Sequence, residues 1–194
     1  FNCYSVVDER SAGYFAMGLS QQFEKPVVMV CTSGTAVSNY LPAVTEAYYQ
    51  RVPLIVITSD RSPYLLDQME TQKIDQTNIF HAVIKKEVTL PVIKDDNDEW
   101  YCNRLINEAL IELVNHGEGP VHINVPTTGN PMDYSCQILP DVTKIEFIRE
   151  RDIDVKLKEL VDKLNKKKVL LVFGENFRIS DELEKLVDDF VKVT

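Results

Sequence analysis

Glycine and tryptophan are scarce in this sequence, with seven glycines and one tryptophan among 194 residues. At 44% hydrophobic and 26% charged, the composition argues against collagen-like, low-complexity and disordered chains. No apolar run approaches the roughly 20 residues that a membrane-spanning helix needs. The four cysteines, Cys3, Cys31, Cys102 and Cys136, form no CxxC pair, and His81, His116 and His122 show no metal-ligand spacing. Cys31 sits in an apolar run and reads as a reduced, buried thiol, which fits a cytoplasmic protein. The phosphate-binding patterns GxGxxG and GxxxxGK and the hydrolase elbow GxSxG are all absent. Basic residues are in deficit, 21 against 30 acidic ones, giving a formal charge of -9 that opposes nucleic acid as a partner.

What is present is an alternation of short β-branched runs and amphipathic stretches. Val27–Cys31, Leu54–Thr58, Val121–Val125 and Val169–Phe173 read as strands, three of them continuously apolar, as when helices cover both faces of a sheet. An opening strand is also expected ahead of the first helix. Ala12, Phe15, Ala16, Leu19 and Phe23 repeat at helical spacing, as do Ala36, Tyr40, Ala43, Val44, Ala47 and Tyr48, and later Leu105, Ile106, Ala109 and Leu113. The expected fold is α/β, a doubly wound and mostly parallel sheet flanked by helices, with ligands at the strand ends.

A boundary is expected near residues 126–151, where Pro126–Pro131 is turn-rich. Residues 1–150 hold 11 basic and 20 acidic side chains, whereas residues 151–194 hold ten of each. Beyond the boundary come a helix with Val155, Leu157, Leu160, Val161 and Leu164, a strand, Gly174, and a helix with Ser180 as N-cap. This reads as the first β-α unit of a second α/β domain. The chain opens Phe1-Asn2-Cys3 without Met and closes on Val191–Thr194, which reads as the start of a strand. It is expected to be a piece of a longer polypeptide.

Four strand-to-helix junctions could carry chemistry. Asp8-Glu9-Arg10-Ser11 offers acids that either complement a helix dipole or aim a carboxylate into a cleft. Thr32-Ser33-Gly34-Thr35 offers small side chains and free amides to a flat or anionic ligand. In Ser59-Asp60-Arg61-Ser62-Pro63, the arginine either pairs with Asp60 or reaches a ligand carboxylate through its planar fork. Thr71–Gln76 is dense in amides and reads as a surface loop.

Taken in order, DERSAGYFAMGLS, PVVMVCTSGTAVSNYLPAVTEAYYQRVPLIVITSDRSP and TQKIDQ strongly resemble one family. They are similar to the pyrimidine-binding domain of the thiamine-diphosphate-dependent 2-succinyl-5-enolpyruvyl-6-hydroxy-3-cyclohexene-1-carboxylate synthase (MenD) family. The resemblance implies a pyrimidine-binding domain over 1–135, lacking its first segment, a linker over 136–150, and the truncated start of a central domain over 151–194. It implies decarboxylation of 2-oxoglutarate on thiamine diphosphate with Mg²⁺, then addition of the succinic-semialdehyde unit to isochorismate, in menaquinone biosynthesis. A cytoplasmic homodimer or homotetramer is implied for the parent enzyme.

By the same resemblance, Glu9 is the glutamate that hydrogen-bonds the pyrimidine ring nitrogen and so activates the cofactor. Ser33, Gly34, Thr35 and Asn39 approach the aminopyrimidine, Arg61 holds substrate carboxylates, and Gln72 lies near isochorismate. The family's N-terminal PGSRS-like segment and its GDG…N metal motif do not occur in the sequence. No metal site is therefore expected within it, and these residues alone are expected to be inactive. Ser62 stands where the family more often has proline. Two other readings stay open: an acetolactate-synthase-like enzyme with a different acceptor, and a noncatalytic α/β module.

Overall fold

The computed structural model describes residues 2–128, 138–148, 153–165, 167–174 and 179–193. Two compact units make up the chain, Phe1–Ile145 and Glu146–Thr194. The first contains α1 (Glu9–Phe23), β1 (Val27–Cys31), α2 (Thr35–Asn39), α3 (Leu41–Tyr49), β2 (Leu54–Arg61), a single 3₁₀ turn (Pro63–Leu65), β3 (Lys86–Thr89), α4 (Asp96–Glu112) and β4 (Val121–Thr127). The four strands are all parallel, in the order β1-β2-β4-β3, as the alternation of elements predicts.

Each face of the sheet has its own core. Met29, Leu54 and Val56 face α1, α3 and Phe80, whereas Val121, Ile123 and Val88 pack with Leu105, Ala109 and Leu113 of α4 and its end. The second core stops short of β1, where Val28 and Val30 are 45% and 65% exposed. Toward the C-terminal ends of β2 and β4 the first face turns polar. Thr58, Asp60, His122 and Asn124 are all buried there, an unusual concentration that requires internal hydrogen bonds.

The helix expected from Ala36 to Tyr48 is two helices. Pro42 lies in the first turn of α3 and has no N–H to give to the preceding turn, so the chain restarts at Tyr40. In α1 the buried residues are Gly13, Ala16 and Ser20, not the aromatic Phe15 and Phe23 of the expected face, which are exposed. The reason is close packing: a Cβ built on Gly13 would lie 2.7 Å from the Ala43 Cβ, so α1 and α3 meet through their smallest side chains.

Residues 2–6 form no strand and are exposed. In the second unit, α5 (Ile153–Leu164) and α6 (Asp181–Val193) form where the sequence predicts helices. The Leu183 N–H donates to Ser180 Oγ at 3.3 Å, the expected cap. The expected strand at Val169–Phe173 does not form: among the described residues of this unit no strand lies beside it, and a strand without a ladder partner is only extended chain. Val191–Val193 belongs to α6, not to the start of a strand. Gly129–Asn130–Pro131, Cys136 and part of the 136–150 connection lie outside the described residues.

The α1–α3 contact makes a direct expectation. Gly13→Val should lower stability by about 1–3 kcal/mol through overpacking, read as a lower urea midpoint. Adding Ala43→Gly should recover part of that loss, because the two sites touch.

Candidate functional site

Parallel strands bring the ends of β1 and β2 to one edge of the sheet, and the predicted site residues gather along it. After β1 the chain turns through Ser33 and Gly34 into α2. Gly34 has φ +81° and ψ −143°, a conformation that L side chains rarely adopt. A Cβ added there would also lie 2.9 Å from the Cα of Gln72. The glycine thus serves the turn and also admits the backbone of a distant segment. Ser33 is buried, Thr35 is exposed, and the exposed Asn39 donates from Nδ2 to the Thr35 carbonyl at 3.3 Å.

Asp60 and Arg61 end β2 with separate partners. Lys73 Nζ lies 2.9 Å from Asp60 Oδ1, with both side chains more than nine-tenths buried. The Arg61 guanidinium bonds Glu70 and the Thr71 carbonyl and stays partly exposed. Pairing between the Arg61 side chain and Asp60 is therefore overturned; only the Arg61 backbone N–H reaches Asp60, at 2.7 Å. Lys73 takes the carboxylate because it returns from the following segment into the buried space beneath it.

The 71–76 segment is correspondingly more than a surface loop. Thr71 and Gln72 are exposed, but Gln76 is fully buried. Its Oε1 accepts the Gly34 N–H at 2.9 Å, and its Nε2 donates to the Ser59 carbonyl at 3.1 Å and to Asn124 Oδ1 at 2.9 Å. Asn124 Nδ2 donates in turn to Asp60 Oδ2 at 3.1 Å. One carboxamide thereby locks the 71–76 segment, the Gly34 turn and the ends of β2 and β4 together.

Glu9 occupies the first turn of α1 and is half-buried. Asp8 before it serves as the N-cap, its Oδ2 accepting the Ser11 N–H at 2.8 Å and the Ser11 hydroxyl at 2.6 Å. That leaves Glu9 free of capping. The Asp8 carboxyl is held below its ordinary pKa by these two bonds. The Cys31 thiol is pushed up to about 12, first by burial and then by the negative charge of Glu9. The Tyr40 phenol is raised by burial, by Cys31 and by Glu9, and its hydroxyl donates to the Val30 carbonyl at 2.9 Å. Glu9 thus acts electrostatically on the end of β1.

The structure gathers Gly34, Gln72 and Arg61 through Thr71 and Gln76, and the negative charge of Glu9 helps raise the pKa of Cys31 and Tyr40. Sequence reasoning passed over Gln76, Lys73, Asn124 and His122. Polar residues at alternate positions of apolar strands, Thr58 and Asp60 in β2 and His122 and Asn124 in β4, were the available signal. Among the described residues no group of three His, Cys, Asp or Glu side chains could hold a metal ion, and no helix is long and apolar enough to cross a membrane.

A parallel α/β domain with a glycine turn after its first strand and a glutamate opening its first helix is the class of an N-terminal cofactor-binding domain of thiamine enzymes. Residues 1–79 match the family described as thiamine pyrophosphate enzyme, N-terminal TPP binding domain. The chain is similar to curated 2-succinyl-5-enolpyruvyl-6-hydroxy-3-cyclohexene-1-carboxylate synthases, in line with its motifs. It is 50% identical to that synthase of Bacteroides fragilis over 86% of the chain and 30% of the relative. The Phocaeicola vulgatus synthase is 48% identical over 90% and 32% of the two chains, and that of Flavobacterium johnsoniae 37% identical over 99% and 34%. The chain spans about a third of the length of these curated relatives.

The Lys73–Asp60 pair is testable apart from any activity. Lys73→Met should cost about 3–5 kcal/mol, because a buried carboxylate loses its cation. Lys73→Met combined with Asp60→Asn should be more stable than Lys73→Met alone, measured by urea unfolding.

Proposed function

We propose that this chain is the pyrimidine-side part of a thiamine-diphosphate-dependent synthase that decarboxylates 2-oxoglutarate and joins the succinic-semialdehyde unit to isochorismate. The observation that carries this reading is the cradle at Gly34. A side chain there is barred both by φ and by Gln72, so the turn after β1 is held close against the 71–76 segment, with the half-buried Glu9 opening α1. These residues are assigned to the ring half of the cofactor, and the diphosphate and Mg²⁺ to other parts of the parent enzyme. Residues 1–135 are assigned to the pyrimidine-binding domain, 136–150 to a linker and 151–194 to the start of a central domain.

When bound, thiamine diphosphate supplies the nucleophilic carbon and the electron sink for decarboxylation. Glu9 holds a proton at the pyrimidine ring nitrogen, and the neighbouring thiol and phenol, both resisting ionisation, add no competing charge. Ser33, Gly34, Thr35 and Asn39 shape the ring's seat. Arg61, braced by Glu70 and the Thr71 carbonyl, presents its guanidinium to a carboxylate of isochorismate, with Gln72 beside it. A dicarboxylate acceptor favours this arrangement over an acetolactate-type one, whose acceptor asks for fewer cationic and amide partners. The parent is assigned as a cytoplasmic homodimer or homotetramer in which a neighbouring subunit completes the cofactor cleft.

Two substitutions in the complete polypeptide test these roles. Glu9→Gln should slow exchange of the cofactor C2 proton by about 10²–10⁴-fold, followed by NMR, and near-normal exchange would remove Glu9 from the site. Arg61→Ala should lower kcat/KM for isochorismate by about 10–150-fold while largely sparing decarboxylation of 2-oxoglutarate. Equal losses in both half-reactions would place Arg61 with the donor or with the scaffold.

A further inference from the structure

Beneath the Gly34 cradle lies a buried chain of side chains whose hydrogens can be placed one by one. Gly34 N–H can only donate, so Gln76 must turn Oε1 toward it and the amide NH₂ toward Ser59 and Asn124. The Ser59 carbonyl, which can only accept, demands the same orientation. At the other end, Asp60 is a carboxylate already accepting from Lys73 and from the Arg61 backbone, so Asn124 must turn Nδ2 toward it. Asn124 Oδ1 then accepts from Gln76 and from the Thr58 hydroxyl, the latter at 2.9 Å. The single hydroxyl hydrogen of Thr58 is spent on that bond. Thr58 Oγ1 must therefore accept from His122 Nε2, which lies 2.7 Å away.

The count leaves His122 Nδ1. It lies 3.1 Å from Glu87 Oε2, and both atoms are buried without a hydrogen-bond partner. With Nε2 already carrying a hydrogen, a neutral imidazole would point a bare lone pair at a carboxylate oxygen. Such an arrangement leaves two buried acceptors face to face. The remaining Glu87 oxygen accepts the Asn78 backbone N–H. The Phe80 ring closes the pocket edge-on at 5.0 Å from the imidazole and offers no competing polar group.

We propose that His122 carries hydrogens on both ring nitrogens, as an imidazolium paired with Glu87, and that this pair fixes one end of a hydrogen-bond chain that meets at Asn124 Oδ1 and positions Gly34. His122, Thr58 and Gln76 are positioning residues: none is assigned a contact with cofactor or substrate. Donation runs from His122 through Thr58 and from Gly34 through Gln76 to the same Asn124 oxygen, so the turn that seats the ring is tied to strand β3 across β4 and β2. The positioning role rests on the reading of the Gly34 turn as the cofactor's seat; the proton placement does not.

The test uses the 194-residue chain without cofactor, so it is separate from the activity tests. Nitrogen-15 NMR of the imidazoles at pH 7.5, where a free imidazole is mostly neutral, should give two slowly exchanging N–H signals for His122. A single N–H on His122 would overturn the proton placement. In Glu87→Gln the carboxamide can donate to Nδ1, so the second His122 N–H should vanish while the Gly34 amide keeps its protection. Persistence of both His122 N–H signals in Glu87→Gln would also overturn the placement.

Transmission along the chain is read at Gly34. Thr58→Val keeps the shape but cuts the chain, and should speed Gly34 amide exchange by about tenfold or more, with Val56 and Ile123 unchanged; Thr58→Ser should restore protection. Exchange at Gly34 within twofold of wild type in Thr58→Val, or an equal rise across the sheet, would overturn the positioning role. Failure here leaves the Glu9 exchange experiment on the complete polypeptide standing, and failure of that experiment leaves these spectra unchanged.

Discussion

The carboxamide of Gln76 ties the Gly34 turn of the candidate site to strands β2 and β4 beneath it. It fills its acceptor with the Gly34 amide and both donors with Ser59 and Asn124, and it is almost wholly buried. Each such group left unpaired in a protein interior costs about 1–3 kcal/mol, so the three bonds hold the loop far more firmly than its exposed neighbours suggest. The backbone of Gln72 can lie against Gly34 because Gln76, four residues on, pins the segment down. The left-handed turn at Gly34 is kept for the same reason.

Charge is sorted by depth along the same edge. Lys73 and Asp60 neutralise each other in the interior, and Arg61 is turned outward onto Glu70 and a carbonyl. In a chain with a net charge of -9, an outward guanidinium at a strand end is a local reversal of the surface field. The division follows from chemistry: the compact ammonium meets one carboxylate oxygen in a tight space, while the planar fork suits a partner that arrives from solvent. Glu9 shows the complementary arrangement on the other strand end, with a carboxylate beside a thiol and a phenol that stay protonated.

The sheet is asymmetrically covered. Its α1–α3 face is sealed by small residues at Gly13 and Ala43, while the α4 face is closed over β3 and β4 and open over Val28 and Val30 of β1. The edge that bears Glu9 and Gly34 thus stands on one well-packed layer, which holds the turn at the end of β1 firmly in place.

The sequence by itself determined the strands β1, β2 and β4, the helices α1, α4, α5 and α6, and the parallel α/β arrangement, because each rests on local periodicity and capping that neighbours along the chain supply. It also marked Glu9, Gly34, Arg61 and Gln72 through a family resemblance. Tertiary structure alone decided that Lys73 and not Arg61 pairs with Asp60, that Gln76 is core and not loop, and that His122 belongs to a polar chain beneath the site. The physical reason is common to these cases. A hydrogen bond or ion pair between residues 13 to 66 positions apart has no trace in local pattern, since it depends on which strand ends the sheet sets side by side.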